Sequence, residues 1–103
     1  MDNSTESLQS VEHNVYFEGK VQSLGLHTHT GKATVGVMKK GSYTFSASAS
    51  APERMKVISG ILDVKLKDAE FKKYHEQDEF EVQAGTSFDV ICEDDVAYIC
   101  FYG

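Results

Sequence analysis

The chain has 103 residues, is 41% hydrophobic, and sets 16 acidic against 10 basic residues for a net charge of −6. That length leaves room for one domain with one modest core. The acidic balance argues against a nucleic-acid partner, which needs a basic face to displace counterions from phosphates, but not against one small anion held by a few converging donors.

The opening "MDNSTESLQS" has neither a basic n-region nor an apolar h-region and does not read as a signal peptide. Residues 1–12 are expected to form a disordered polar tail, and residues 13–103 a single folded domain. With no export signal, the cytoplasm is the expected location. Apolar residues come in runs too short for a membrane-spanning helix, so no membrane partner is expected.

From residue 15 onward almost every segment alternates with period two. Strands are expected over 15–24, 32–38, 41–48, 54–60, 61–66, 79–82, 86–91 and 96–102, punctuated by glycine or charged clusters. Residues 67–77, "KDAEFKKYHEQ", carry at most a weak helical stripe and read as a loop plus a short strand. So many short, evenly spaced strands in one small chain mean an all-β sandwich or closed barrel.

Alternation also assigns faces. Glu53, Met55 and Val57 share one side of their strand, while Arg54, Lys56 and Ile58 share the other. Leu62, Val64 and Leu66 form an apolar set. If Asp94-Asp95 closes a two-residue hairpin, Phe88, Val90 and Cys92 join Ala97, Ile99 and Phe101 as core, and Tyr98, Cys100 and Tyr102 face outward. The same hairpin places Cys92 and Cys100 on opposite faces, which predicts two free thiols in a reducing compartment.

"LHTHT" places His27 and His29 two apart, the spacing at which a strand points two imidazoles one way. No carboxylate or cysteine accompanies them at ligand spacing, so a polar loop is the expected reading. His13 and His75 sit in polar surroundings.

The stretch "ERMKVISGILDVKL…EQDEFEVQAGTSFDV" resembles the cupin pattern, which implies a double-stranded β-helix, or jelly-roll barrel. In that pattern three histidines and a glutamate hold a metal. Glu53, six residues before Gly60, matches the glutamate. The H-x-H pair falls on Ser46 and Ser48 or on Ala47 and Ala49, and the third histidine position on Phe88. A lone carboxylate cannot assemble a transition-metal site, so no metal cofactor is expected.

Over residues 15–102, "YFEGKVQSLG", "GKATVGVMKKGSYTFS", "APERMKVISGILDVKL" and "AYICFY" resemble the small single-domain cupins of the pyrimidine/purine nucleoside phosphorylase family. The chain departs from the family in "KDAEFKKYHEQDEFEVQ", where Gln83 replaces a usual proline. The resemblance implies phosphorolysis of purine and pyrimidine nucleosides to free base and ribose 1-phosphate, with inorganic phosphate as co-substrate and a homodimeric state.

Such chemistry needs an anchored phosphate, an apolar seat for the base and a donor for the leaving group. Arg54, the chain's one arginine, suits a bidentate oxyanion, although its alternation is opposite to that of Glu53; Lys32, beside Gly31, is a second phosphate candidate. Tyr43, Phe45 and Phe88 are candidates for the base. The first two face inward if Ala47 and Ala49 do, and away if Ser46 and Ser48 do. Ser46 and Ser48 are candidate hydroxyl donors to the sugar. Glu53, an inward carboxylate, is the catalytic candidate or else a structural group paired to a neighbouring strand. The competing readings are a cupin that binds a sugar, base or nucleotide without turnover, and a metal-dependent cupin enzyme.

Overall fold

The computed structural model describes residues 11–29 and 31–102, so most of the expected tail lies outside the described residues. Ten strands are present among them: β1 (His13–Tyr16), β2 (Val21–Thr28), β3 (Gly31–Met38), β4 (Gly41–Ser46), β5 (Glu53–Ser59), β6 (Leu62–Lys65), β7 (Phe71–Tyr74), β8 (Glu79–Val82), β9 (Ser87–Cys92) and β10 (Val96–Tyr102). All pairings are antiparallel, as expected of an all-β chain. They build a six-stranded sheet of order β1-β2-β3-β10-β5-β8 and a four-stranded sheet of order β4-β9-β6-β7.

Only β1–β2, β2–β3 and β6–β7 are joined within one sheet; every other connection crosses to the opposite sheet. This alternation is the jelly roll. It follows from strands that each bury one face and must be covered by the other layer. Tight corners make the crossings possible. At Gly60, φ is +93°, and a Cβ would lie 2.9 Å from the Asp95 carbonyl oxygen, so only glycine fits there without displacement.

Val21, Met38, Leu62 and Val90 are wholly inaccessible and Val57, Val64, Val82 and Val96 nearly so. Burying each such side chain contributes roughly 1.5–3 kcal/mol. Tyr74, Phe80 and Phe88 extend this core, with ring centroids 4.8 Å and 6.0 Å apart in succession. The alternation expected for β5 holds: Met55 and Val57 are buried, and Arg54 and Ile58 are exposed.

Two expectations are corrected. Residues 15–24 are not one strand: a tight turn at Phe17–Gly19 separates β1 from β2, which then fold back as a hairpin pairing Tyr16 with Val21. More consequentially, β9 and β10 are not a hairpin. They lie in different sheets, β9 between β4 and β6, β10 between β3 and β5. The face assignment of β10 therefore reverses. Val96, Tyr98 and Cys100 are buried, while Ala97, Ile99 and Phe101 are half-buried on the outer side. The register shift at Ala97/Tyr98 leaves its extra residue, Ile58, on β5, so the alternation of β10 runs unbroken and Tyr98 faces inward with Val96 and Cys100. Cys92 and Cys100 are free and buried, as expected, although not because a hairpin separates them.

Candidate active site

The apolar residues fill one part of the space between the sheets. The other part is a cavity of about 500 Å³, within the roughly 300–1,000 Å³ typical of small-molecule sites. Its wall on the six-stranded sheet is polar: Ser23 from β2, Thr34 from β3, Glu53 from β5, and Tyr98, Cys100 and Tyr102 from β10. Its opposite wall is aromatic, with Phe45 of β4 and Phe88 of β9 at a centroid separation of 5.7 Å.

The polar wall is internally bonded. Tyr102 Oη and Thr34 Oγ1 are 3.0 Å apart. The Cys100 thiol donates to Glu53 Oε1 at 3.6 Å, and Tyr102 is hydrogen-bonded to the same sulfur. Across the wall, Tyr98 shares a hydrogen bond with Ser23, whose hydroxyl also accepts Asn14 Nδ2 at 3.3 Å. Gly36 makes room for this arrangement: a Cβ there would fall 2.6 Å from the Tyr98 phenol oxygen.

Burial governs the charge state. It pushes the Cys100 thiol up to about 12, helped by the neighbouring Glu53 charge. Burial likewise pushes Tyr98 up to about 12 and raises Tyr102 further. Glu53 is raised from the ordinary carboxylate range, mainly by desolvation; the Cys100 thiol and the Ser48 backbone N–H partly oppose this by donating to its oxygens. Thiol and phenols thus stay neutral near pH 7. Among the described residues Glu53 is the sole carboxylate lining the cavity, and no lysine, arginine or histidine lines it.

The structure brings most of the sequence candidates together. Phe45, Phe88, Ser46, Ser48 and Glu53 all border the cavity. Tyr43 and Phe45 share the core-facing side of β4, and Ala47, just beyond the strand's end, is buried as well. Ser46 and Ser48 reach the rim where that strand ends; Ser46 bonds Ser87 Oγ at 2.9 Å and Ser48 bonds Ser50 Oγ at 2.8 Å. Tyr43 does not line the cavity, and its hydroxyl donates to the Lys39 carbonyl at 2.6 Å.

Arg54 and Lys32 lie outside it, in a smaller pocket of about 250 Å³ that borrows Glu53 and Tyr102 from the cavity wall. Arg54 stacks on the Phe101 ring, 4.4 Å from its centroid, and pairs with Glu79 at 3.5 Å. His27 pairs across the hairpin with Lys32, and His27, His29 and His75 are exposed. His13 belongs to β1 and bonds Gln22 Oε1 at 2.8 Å.

Sequence reasoning missed Tyr16, Phe17, Ser23, Thr34, Tyr98, Cys100 and Tyr102. The last three were visible as a period-two stripe of polar-tipped residues, but the assumed hairpin turned them outward.

A cupin-type metal cage does not fit these side chains. Among the described residues no three His, Cys, Asp or Glu side chains converge. Glu53 instead meets a thiol held protonated, a backbone N–H and, through the thiol, a phenol.

A family model described as pyrimidine/purine nucleoside phosphorylase matches residues 11–102. A Vibrio cholerae protein of that name is 44% identical over 91 residues, covering 87% of this chain and 94% of its own. The crystal structure of a Vibrio parahaemolyticus protein of unknown function is 41% identical, with a TM-score of 0.83 over 89% of this chain and 97% of that one. An RmlC-like cupin from Shewanella frigidimarina shares the fold alone, at TM-score 0.68 and 17% identity over 90% of this chain and 83% of its own. The architecture is that of a cupin, and the chain belongs to the pyrimidine/purine nucleoside phosphorylase family.

Proposed function

We propose that this chain catalyses metal-independent phosphorolysis of purine and pyrimidine nucleosides, yielding free base and ribose 1-phosphate. The observation that carries the reading is a cavity in which an aromatic wall faces a hydroxyl-lined wall holding one carboxylate of raised pKa. The base lies against Phe45 and Phe88, and the ribose hydroxyls meet Ser46, Ser48 and Thr34. Glu53 serves as the acid–base group: it passes a proton to the departing base nitrogen as the C1′–N bond breaks and regains one from the attacking hydrogen phosphate. A phosphate oxygen forms the new bond to C1′ of the oxocarbenium-like sugar. Phosphate is supplied from the Lys32–Arg54 pocket, whose shared wall with the cavity is Glu53 and Tyr102. Family membership and the relatives' name support the same reading.

One observation favours a binding module without turnover. Arg54 is engaged by Glu79 and Phe101, and the outer pocket also contains Glu81, which opposes an anion. Incubation with uridine or adenosine, with and without phosphate and with EDTA, separates the readings. Base release that requires phosphate and survives the chelator is the expected result. Saturable binding with no release overturns the enzymatic reading, and loss of turnover in EDTA overturns metal independence.

We also infer a homodimer. Val15, Leu24, Leu26 and Val37 are between 38% and 55% exposed on the outward face of β1–β3, an apolar surface of the kind that marks an interface. Light scattering at micromolar concentration checks this; a monomer mass refutes it. Two buried free thiols suit a reducing compartment, and we place the protein in the cytoplasm. No helix among the described residues is long and apolar enough to cross a membrane.

A further inference from the structure

The turn that interrupts the first expected strand stands at the cavity mouth. Phe17 and Glu18 both adopt left-handed backbone conformations, with φ of 51° and 59°, followed by Gly19 at 90°. Non-glycine residues in this region are strained, and such strain persists only where surrounding contacts hold it. Yet no residue of the turn is buried. Its closure rests on Lys20 N–H to the Phe17 carbonyl at 3.1 Å and Gln22 Nε2 to the Gly19 carbonyl at 3.1 Å.

What the conformation achieves is the placement of one ring. Phe17 sits with its centroid 5.0 Å from Tyr43 and 5.6 Å from Phe45, edge-on to the latter at 87°. Phe45 in turn contacts Phe88, so the rings run without a break from the mouth to the aromatic wall. Phe17 nevertheless remains 42% exposed, and Tyr16 beside it 47%; both border the cavity. Phe17 is thus kept half in solvent at the entrance by a strained backbone, beside Tyr16 at the extended end of β1.

We propose that Tyr16 and Phe17 form the outer half of a slot for a planar heteroaromatic base, with Phe45 and Phe88 as its inner half, and that Phe17 is a base-binding residue. The inference rests on the nucleoside reading of the site and adds to it the element that holds the base at the entrance. A ring face is tolerant of base identity, so this slot accepts purines and pyrimidines through stacking and leaves the sugar to the polar wall. Phe17 acts on affinity for the base and has no part in holding phosphate.

The test compares wild type with Phe17→Ala, Phe17→Leu and Phe17→Trp, after circular dichroism and melting curves establish that each is folded. Nucleoside binding without phosphate is measured by calorimetry, and steady-state kinetics are measured with phosphate. Loss of one stacking face is expected to weaken nucleoside Kd and raise its KM by roughly tenfold or more, with phosphate KM unchanged. Phe17→Leu, which keeps bulk and loses the ring, is expected to behave like Phe17→Ala, and Phe17→Trp to restore affinity and shift it toward purines. If wild type turns over and folded Phe17→Leu has unchanged nucleoside Kd and KM, the slot is overturned while the reaction stands. If wild type binds nucleoside without turnover and Phe17→Leu weakens that binding, the slot stands and the reaction falls. A wild type that neither binds nor turns over nucleosides overturns both.

Discussion

Replacing Gly36 with alanine tests whether the cavity floor is as tightly built as the structure indicates. A Cβ on Gly36 would lie 2.6 Å from Tyr98 Oη, 2.7 Å from its Cζ and 2.8 Å from the Gln22 carbonyl oxygen. All three distances are shorter than real Cβ contacts. A phenol can tilt away; the carbonyl belongs to β2, which pairs with β3 from Val21 to Thr28, and has no such freedom. Overpacking of this kind costs about 1–3 kcal/mol, and the rigid carbonyl favours the upper part of that range. Restricting the unfolded chain returns roughly 0.4–1 kcal/mol, so the clash wins by about 1–2 kcal/mol. At roughly 4–8 °C per kcal/mol for a domain near this size, the melting temperature is expected to fall by about 5–15 °C. Tyr98 would be pushed off its seat toward the cavity and lose its Ser23 hydrogen bond, so nucleoside affinity should fall in parallel. Scanning fluorimetry and calorimetry measure the two effects on the same preparation. A Gly36→Ala protein with unchanged melting temperature and unchanged nucleoside affinity would refute the packing argument.

Glu53→Gln removes the proposed proton donor; kcat is expected to fall roughly 10²–10⁴-fold, and a wild-type kcat would return the carboxylate to a structural role. The same variant probes pH-dependent stability. Because the folded-state pKa of Glu53 is raised above its ordinary 4.5, its favourable contribution is complete below that value and is lost as pH rises through the folded-state pKa. The melting temperature of wild type minus that of Glu53→Gln should therefore decrease from pH 4 to pH 7, and a difference that is flat or grows contradicts the raised pKa. Arg54→Ala is expected to raise the phosphate KM with little change in nucleoside KM; an unchanged phosphate KM removes Arg54 from the phosphate path. Cys100, with its thiol pushed up to about 12 and 4% exposed, should resist iodoacetamide at pH 8 in the native protein and react after denaturation. Rapid native labelling, read by mass spectrometry, would contradict its burial.

Part of the cavity lining was legible because Glu53 and Phe88 occupy strands whose alternation is strict. Glu53 shares a side with Met55 and Val57, and all three turn inward together. Phe88 likewise turns inward with Val90 and Cys92. Ser46, Ser48 and Phe45 reached the candidate set through motif spacing and aromatic content, and each borders the cavity. The reading failed where it needed to know which strands are neighbours. A short acidic turn such as Asp94-Asp95 joins strands of one sheet or carries the chain between two, and local sequence does not distinguish them. Here it carries the chain across, which turned Tyr98, Cys100 and Tyr102 from outer decoration into the polar wall. The Phe17–Gly19 turn was hidden for a related reason: "VYFEGKVQSL" keeps a strand-like composition through a backbone reversal that only glycine-like dihedrals reveal.

By itself the sequence determined the β character, the buried faces of β5 and β9 and the inward carboxylate. Those properties depend on side-chain period and residue type, which are local. Only the tertiary structure decided that Arg54 and Lys32 share an outer pocket instead of the lumen, that Phe17 stands at the mouth, and that a row of thiol, phenol and hydroxyl groups surrounds Glu53. Those placements depend on which sheet each strand joins, and that is fixed by burying ten strands' apolar faces against one another at once.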